Sequence, residues 1–383
     1  MKSLDKKIKI AYCISSLYKA GGMERVLANK ANYLARNGYE ITIITTDQKQ
    51  RGHYFELDPA IQCIDLGINY EDSNGEGLFQ KLYSYPSKQR LHYSRLTQAL
   101  IALKVNITIS MFDHEVGFLW KIKDGSYKLL EVHFSRFKRL QYGKKGIWGM
   151  VNRYRSNLDL KYVKKYKRFI VLTQEDRGYW GNLDHITVIP NANTFQPEER
   201  SALDEKTVIA VGRFDHQKKF EDLIQIWALV VSDFPDWKLK IFGKGEQHSF
   251  LQGWIDRLGL NKQISLCEPV KDIQKEYLKS SIIAVTSRYE GWSMALAEGQ
   301  SCGLPMVSYA CKCGPKDIIE AGRNGFLIAE GDKQDFAAKL KLLMGDDTRR
   351  LIMGCEAKQM SFRFSKEKVM KQWLNLFKEV QQA

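Results

Sequence analysis

The segment from Ile8 to Thr46 constrains the architecture most. Ile8 to Ile14 is apolar and β-rich, and Gly21-Gly22 follows in a loop. Met23 to Asn37 then places Val26, Leu27, Ala31, Leu34 and Ala35 at helical spacing. Gly38 suits a helix stop, and Glu40 to Thr46 is a second β-rich run. Strand, glycine-rich turn, helix and strand make a βαβ unit, which requires parallel strands joined by a right-handed crossover. Further strands are predicted at Ile107–Met111, Leu129–Val132, Phe169–Thr173 and Thr187–Ile189. The second half repeats the pattern. Strands are predicted at Val208–Gly212, Leu239–Phe242, Ile264–Cys267, Ile282–Thr286, Pro305–Ser308 and Phe326–Ile328. Helices are predicted at Phe220–Val231, Met294–Cys302 and Lys333–Met344. Two consecutive βα arrays, joined near Pro190-Asn191, predict an α/β protein of two doubly wound domains. Ligands bind beyond the carboxyl ends of such strands, so the active site is expected in the cleft between the domains.

A chain of 383 residues fits two domains, and 44% hydrophobic with 27% charged residues excludes disordered and collagen-like classes. No apolar run approaches the ~18 residues that cross a bilayer. Lys2, Lys6, Lys7 and Lys9 precede an apolar stretch too short for a secretory signal, which predicts a cytoplasmic location. Seven scattered cysteines do not describe a disulfide framework. Cys302, Cys311 and Cys313 form the one cluster, and no histidine lies near enough in sequence to complete a zinc site. Net charge is +15, and residues 121–170 hold 15 basic against 3 acidic residues, a surplus of 12. Such a belt attracts polyanions, whether nucleic acid, anionic lipid headgroups or a phosphorylated substrate, unless it is simply a solvated face.

Three loops carry candidate chemistry. Gly21-Gly22-Met23-Glu24-Arg25 opens a helix whose first N–H groups suit an anion; a plain βα turn reads the same way. Gly212-Arg213-Phe214-Asp215-His216-Gln217-Lys218 places two cations five residues apart after a strand, as a diphosphate clamp or a surface pair. In Glu290-Gly-Trp-Ser-Met-Ala-Leu-Ala-Glu298, Ser293 is positioned to cap a helix that contains Glu298. Eight residues separate its carboxylates by up to about 12 Å of helix, too far for one metal but suited to two hydroxyl-bearing parts of one elongated ligand. No two aspartates are separated by a single residue, so the DxD arrangement that holds a divalent ion against a diphosphate is missing.

Taken together, GGMERVLANKANYLARNGYEITIIT, VGRFDHQKKFEDLI, IFGKGEQ, SRYEGWSMALAEGQSCGLPMVS and FSKEKVMKQWLNLF resemble the retaining glycosyltransferases of family 4, which have the GT-B fold of two Rossmann-like domains facing across a cleft. The similarity is strongest from Val208 to Leu327 and faint between about Gln48 and Tyr166. It implies an acceptor-binding domain over residues 1–190, a donor-nucleotide domain over 191–365 and a last helix from 366 that braces the first domain. Asn191 falls at the linker.

The resemblance also implies roles. Arg213 and Lys218 would grip the donor's diphosphate and stabilise it as leaving group, with no metal and no cofactor. Glu290 would bind sugar hydroxyls, beside the backbone N–H groups of Gly291, Trp292, Ser293 and Met294, and Glu298 would hold the ribose. Gly21 and Gly22 would lie near the diphosphate, and Gly243 and Gly245 would line the nucleotide side. His133 occupies the place of a histidine that contacts the transferred sugar, with His114 as its competitor and a structural role open to either. Trp292-Ser293 departs from the commoner Phe followed by Gly or Pro. The donor is expected to be a UDP-hexose or UDP-N-acetylhexosamine from family frequency, since Cys267–Val270 does not distinguish uracil from guanine. The acceptor is expected to be a glycan or lipid-linked hydroxyl in surface polysaccharide synthesis. The basic belt with Phe134, Phe137, Tyr142, Trp148, Tyr154, Tyr162 and Tyr166 then suits an anionic membrane surface at the inner face of the cell membrane. The competing readings are a nucleotide-sugar 2-epimerase or phosphorolytic enzyme on the same fold, and a nucleic-acid-binding protein, which lacks a supporting motif.

Overall fold

The computed structural model describes residues 7–75, 78–141 and 146–382. Lys2, Lys6 and Tyr142 lie outside them, as does the side chain of Trp148. The chain divides into two units, one of residues 1–171, 177–189 and 370–383, the other of residues 172–176 and 190–369. The division at 189/190 is one residue from the expected linker. The short segment 172–176 groups with the second unit, and the last helix divides after Val369 rather than before Lys366.

The first unit is built on β1 (Lys9–Ile14), α1 (Gly22–Arg36), β2 (Glu40–Thr45), β3 (Gln62–Asp65), α2 (Leu78–Leu103), β4 (Ile107–Ser110) and β5 (Tyr127–Glu131). It continues through α3 (Lys138–Gln141), α4 (Gly146–Val163), β6 (Arg168–Val171), α5 (Gln174–Trp180) and β7 (Ile186–Val188). Its seven strands run in the order β3-β2-β1-β4-β5-β6-β7, every neighbouring pair parallel. Order reverses on either side of β1, which puts the loops after β1 and β4 at a switch point where such sheets bind ligands.

The second unit holds β8 (Thr207–Val211), α6 (Phe220–Ala228), β9 (Lys238–Phe242), α7 (His248–Arg257), β10 (Ile264–Cys267), α8 (Ile273–Leu278) and β11 (Ile282–Val285). After these come α9 (Met294–Ser301), β12 (Met306–Tyr309), α10 (Pro315–Ile318), β13 (Gly325–Ile328), α11 (Lys333–Gly345) and α12 (Asp347–Ser361), and α13 (Lys366–Gln382) closes the chain. The sheet order is β10-β9-β8-β11-β12-β13, again parallel throughout. Both faces are covered, as parallel sheets require. Val208 and Ala210 of β8 point into one core with Leu223, Ile224 and Trp227 of α6, whereas Ile209 points into the other with Leu296 and Ala297 of α9. That alternation is the period of two of a strand.

The β-rich runs locate strands to within two residues at either end. The predicted helix Phe220–Val231 stops at Ala228, with Leu229 as its C-cap and a turn before Pro235 in which Val230 N–H donates to Trp227 O at 2.9 Å. Nine elements, β3, α2, α3, α4, α5, α7, α8, α10 and α12, have no sequence counterpart above, and three of them show why. β3 is an edge strand with mostly exposed residues, α2 spans 26 residues, and α12 carries its few buried apolar side chains at Met353, Ala357 and Met360.

Candidate functional site

In the second unit the loops after β8 and β9 are laced together by backbone. Gly212 N–H donates to Phe242 O at 3.0 Å, Phe214 N–H to Lys244 O at 3.0 Å, and Gln247 N–H to Phe214 O at 3.0 Å. A Cβ on Gly243 would lie 1.8 Å from Gly212 O, and one on Gly245 would lie 2.4 Å from Phe214 O. Both glycines are therefore required by the approach of one loop to the other before any nucleotide is considered. The stem of Lys218 lies along Gly212, and Lys219 follows in the left-handed region at φ 52°. Thr286 Oγ1 donates to the carbonyls of both lysines at 3.1 Å, which holds this strained turn against the end of β11.

These contacts bring Lys218 to Glu290. Lys218 Nζ donates to Glu290 Oε1 at 2.7 Å, and Ser287 Oγ donates to the same oxygen at 2.7 Å. The two side chains are 17% and 5% exposed. Glu290 N–H bonds Lys312 O at 3.1 Å, and Gln217 Nε2 bonds Tyr289 O at 2.9 Å, so the loop after β12 and the loop after β8 both steady this carboxylate. Arg213 stands apart, 3.2 Å from Asp215 and with 74% of its side chain exposed.

Ser293 takes the N-cap position of α9, but its side chain makes no capping bond; its buried Oγ has no hydrogen-bond partner among the described residues. The capping expectation is thus corrected. Its ψ of 91° belongs to a chain drawn against Gly314, whose Cβ would sit 3.0 Å from Ser293 N. Trp292 is buried edge-to-face against Phe364, with ring centroids 4.8 Å apart. Met294 Sδ receives Asn191 Nδ2 at 3.7 Å. Glu298 is buried, accepting from Thr194 Oγ1 at 2.8 Å and Tyr277 OH at 3.2 Å. Cys302, Cys311 and Cys313 are buried and unlinked, and burial, with Glu290 adding to it, pushes the Cys311 thiol upward. Among the described residues, no group of three or more His, Cys, Asp or Glu side chains is placed to hold a metal.

In the first unit, α1 begins at Gly22 with Gly21 as its N-cap. A Cβ on Gly21 would meet the Glu24 carboxylate at 2.0 Å, whereas one on Gly22 would meet nothing within 4 Å. The helix thus folds its own acid over Gly21, near the positive end of its dipole. His133 lies just past β5, with its side chain 6% exposed and Nε2 3.0 Å from Glu131 Oε1. Lys30 of α1 grips both oxygens of Glu131, at 2.5 and 2.6 Å. Burial acts to raise the Glu131 carboxyl, but Lys30 and His133 outweigh it and hold it at about 2. His114 is placed differently, stacked on Tyr70 with ring centroids 3.8 Å apart and 3.6 Å from Asp113.

Comparison with known proteins places this arrangement in a family. The model for "Glycosyltransferase Family 4" matches residues 20–192, and that for "Glycosyl transferases group 1" matches residues 191–360. The amylovoran biosynthesis glycosyltransferase AmsD of Erwinia amylovora is 32% identical over 380 residues, covering 95% of this chain and 98% of AmsD. The chain belongs to the GT-B glycosyltransferases. A Campylobacter jejuni α-1,4-N-acetyl-D-galactosaminyltransferase acting on a diphosphoundecaprenol-linked glycan is 24% identical over 381 residues, covering 98% of this chain and all of that one. Among solved structures, a variant of S. aureus TarM crystallised with fondaparinux, α-GlcNAc-glycerol and UDP superposes with a TM-score of 0.78 at 18% identity, covering 97% of this chain and 99% of that one.

In this glycosyltransferase the basic belt is less uniform than its composition suggests. Lys128 is buried against Asp124, Tyr166 is buried with its hydroxyl on Val116 O, and Phe134 and Phe137 pack on Phe112 and Tyr179. Of the described aromatics in the interleaved set, Tyr154 is the exposed one, at 65%. The others turn inward because burial of a ring outweighs anything a wet surface offers it. Outside lie a stripe on α4, Met150 and Tyr154 with Arg153, Arg155 and Lys161 about it, and also Lys121, Lys123, Lys164, Lys165 and Lys167. No helix among the described residues is long and apolar enough to cross a membrane. Sequence reading missed Ser287, Thr286 and Thr194, polar residues at strand or linker ends, and it missed Lys30 and Glu131. Lys30 carried a signal, since it is a lysine within the apolar stripe of α1.

Proposed function

We propose that this glycosyltransferase moves a hexose or N-acetylhexosamine from a UDP-sugar to a hydroxyl of a glycan or lipid-linked acceptor, with retention and without a divalent ion, in the building of a surface polysaccharide. The observation that carries the reading is the pairing of Lys218 with Glu290 at 2.7 Å, a cation and a carboxylate presented by loops at the carboxyl ends of β8 and β11. Lys218 and Arg213 neutralise the diphosphate as it leaves, which is stabilisation of charge that develops in the transition state. Glu290 accepts sugar hydroxyls through Oε2 and Glu298 accepts those of the ribose. The acceptor oxygen bonds to the anomeric carbon as the bond to the diphosphate oxygen breaks, and that departing oxygen takes the acceptor's proton. UDP in the TarM complex and the diphosphoundecaprenol acceptor of the Campylobacter relative support the nucleotide and the acceptor class.

The exposed Met150 and Tyr154 among Arg153, Arg155 and Lys161 supply an apolar and cationic face for an anionic membrane, where a lipid-linked acceptor would be met. A thermal-shift series with UDP, GDP and ADP, then UDP-sugars, tests the donor. UDP is expected to stabilise most, and the best UDP-sugar to be hydrolysed at an undiminished rate in EDTA. Preferential stabilisation by GDP, or loss of turnover on chelation, would overturn the nucleotide or the metal-free chemistry. Co-sedimentation with anionic but not neutral vesicles is the matching test for the α4 face.

A further inference from the structure

The turn that delivers Lys218 is held from two sides, and the second unit alone supplies both. On one side lies the loop after β11. Arg288 Nε donates to His216 O at 3.1 Å, and Arg288 N–H donates to Gln217 O at 2.8 Å. The buried hydroxyl of Thr286 is shared between the carbonyls of Lys218 and Lys219. Four successive carbonyls are thus met by two residues of that loop. On the other side is Asp222, in the first turn of α6 and 4% exposed. Lys219 Nζ lies 2.9 Å from its Oδ2, and Lys333 Nζ of α11 lies 3.2 Å from its Oδ1. Tyr309 OH, at the end of β12, donates to Oδ2 at 3.1 Å. Burial acts to raise the Asp222 carboxyl, but the two lysines outweigh it and hold it below the usual carboxylate range.

We propose that Asp222, backed by Lys333 and Tyr309, is a positioning residue that tethers the Lys219 ammonium, keeps Lys219 in its left-handed turn and so holds Lys218 beside Glu290. This rests on the proposed role of Lys218 in the donor site. The neighbouring lysines have separate tasks, Nζ of the first on Glu290 and Nζ of the second on Asp222. Lys219 is the N-cap of α6, with φ 52° and ψ 42° and no capping bond from its side chain. An N-cap is ordinarily extended, and the left-handed region is disfavoured for any residue that carries a Cβ. Such a conformation persists where the surroundings over-determine it. Here α6 is anchored in the core by Leu223, Ile224 and Trp227, so the torsions at Lys219 decide the direction in which Lys218 leaves the helix. A glycine takes those torsions unaided. The lysine takes them because its own side chain, reaching three residues on to Asp222, supplies the tether.

That difference between lysine and glycine is the test. Turnover is read on the full chain as hydrolysis of UDP-glucose and UDP-N-acetylglucosamine. Lys219→Ala loses the tether and keeps the penalty of its Cβ, so kcat is expected to fall by about ten- to a hundredfold with KM for the donor little changed. Lys219→Gly should recover most of that loss. Asp222→Asn should lower kcat comparably when Lys219 is present. In the Lys219→Gly background the same substitution should change kcat by no more than about twofold, since nothing is left for the carboxylate to hold. The pair of variants at Lys219 leaves the buried acid untouched and covers the case in which Asp222→Asn does not fold. Equal turnover in Lys219→Ala and Lys219→Gly, or a loss on Asp222→Asn that is the same in both backgrounds, overturns the proposal. Crystal structures of the two Lys219 variants read the turn without reference to activity. The bond from Lys218 to Glu290 is expected to be absent in Lys219→Ala and kept in Lys219→Gly, and its survival in both would remove the tether. Wild-type turnover in Lys218→Ala would instead remove the grip on the diphosphate, while those structures still decide whether Asp222 holds the turn.

Discussion

Each unit pairs a lysine with a buried glutamate, and the two pairs differ in how their partners are held. Lys218 and Glu290 both stand on loops, and the bonds from Lys218 and Ser287 converge on a single carboxylate oxygen. Lys30 and Glu131 stand on a helix and a strand, with both oxygens occupied and an aromatic ring over the ammonium. In the proposed function the first pair exchanges its internal partner for a ligand. The second cannot, since releasing either charge strands the other in a water-poor interior. Similar residues thus form a pair held through one carboxylate oxygen where loops carry them and a pair held through both where regular elements do.

That contrast can be broken most directly at the sealed pair. Lys30→Met should cost about 3–5 kcal/mol in urea unfolding, and the double variant Lys30→Met/Glu131→Gln should recover much of it. Equal losses in the single and double variants would show that packing of α1, and not charge, is what Lys30 supplies. At the open pair the effect should fall on turnover. Lys218→Ala or Glu290→Ala is expected to lower kcat by about 10²–10³-fold with the melting temperature nearly unchanged. A large fall in melting temperature with kcat preserved would reverse the comparison.

Acidity sharpens it further, because the first unit holds a second buried glutamate of opposite character. Burial, with Asp113 adding, pushes the Glu115 carboxyl up to about 8, whereas Lys30 and His133 overcome burial and hold Glu131 at about 2. A carboxyl raised on folding contributes stability that is full below its unfolded value of about 4.3 and is lost as pH rises through about 8. A carboxyl lowered on folding contributes stability present above about 4.3 and lost as pH falls towards 2. Glu115→Gln is therefore expected to stabilise the protein at pH 8.5 and leave it unchanged at pH 4, measured by urea midpoints. The same change at both values would contradict a protonated Glu115. The smallest effect is expected at Arg213, whose exposed pair with Asp215 contributes little to folding. Arg213→Ala should stay within about 0.5 kcal/mol of wild-type stability while raising KM for the donor.

Much of this was legible in the amino-acid order, for identifiable reasons. Buried parallel strands demand continuous β-branched and aliphatic runs, so Ile264–Cys267 could be placed to the residue. The edge strand Gln62–Asp65 is solvated on both faces and carries no such run, and α2 and α12 spread few buried side chains over many turns. At the site, Glu290 and Lys218 could be named from their motifs, but their contact spans 72 positions and depends on the Thr286 bonds. The Ser293 cap failed because the helix start is drawn against Gly314, a contact made 21 positions away. The aromatic belt was legible only in part, because composition cannot say which rings turn inward: Phe134, Phe137 and Tyr166 pack inside from turns and bends, while Tyr154 of α4 stays exposed.

The lacing of the loops after β8 and β9 bears on how genetic data for this enzyme are interpreted. Where Gly243 all but touches Gly212 O, any added methyl must push two backbones apart, whatever is or is not bound nearby. Intolerance at that position in a mutational scan would therefore report on assembly of the scaffold, and only an independent binding measurement could assign it to recognition of the nucleotide.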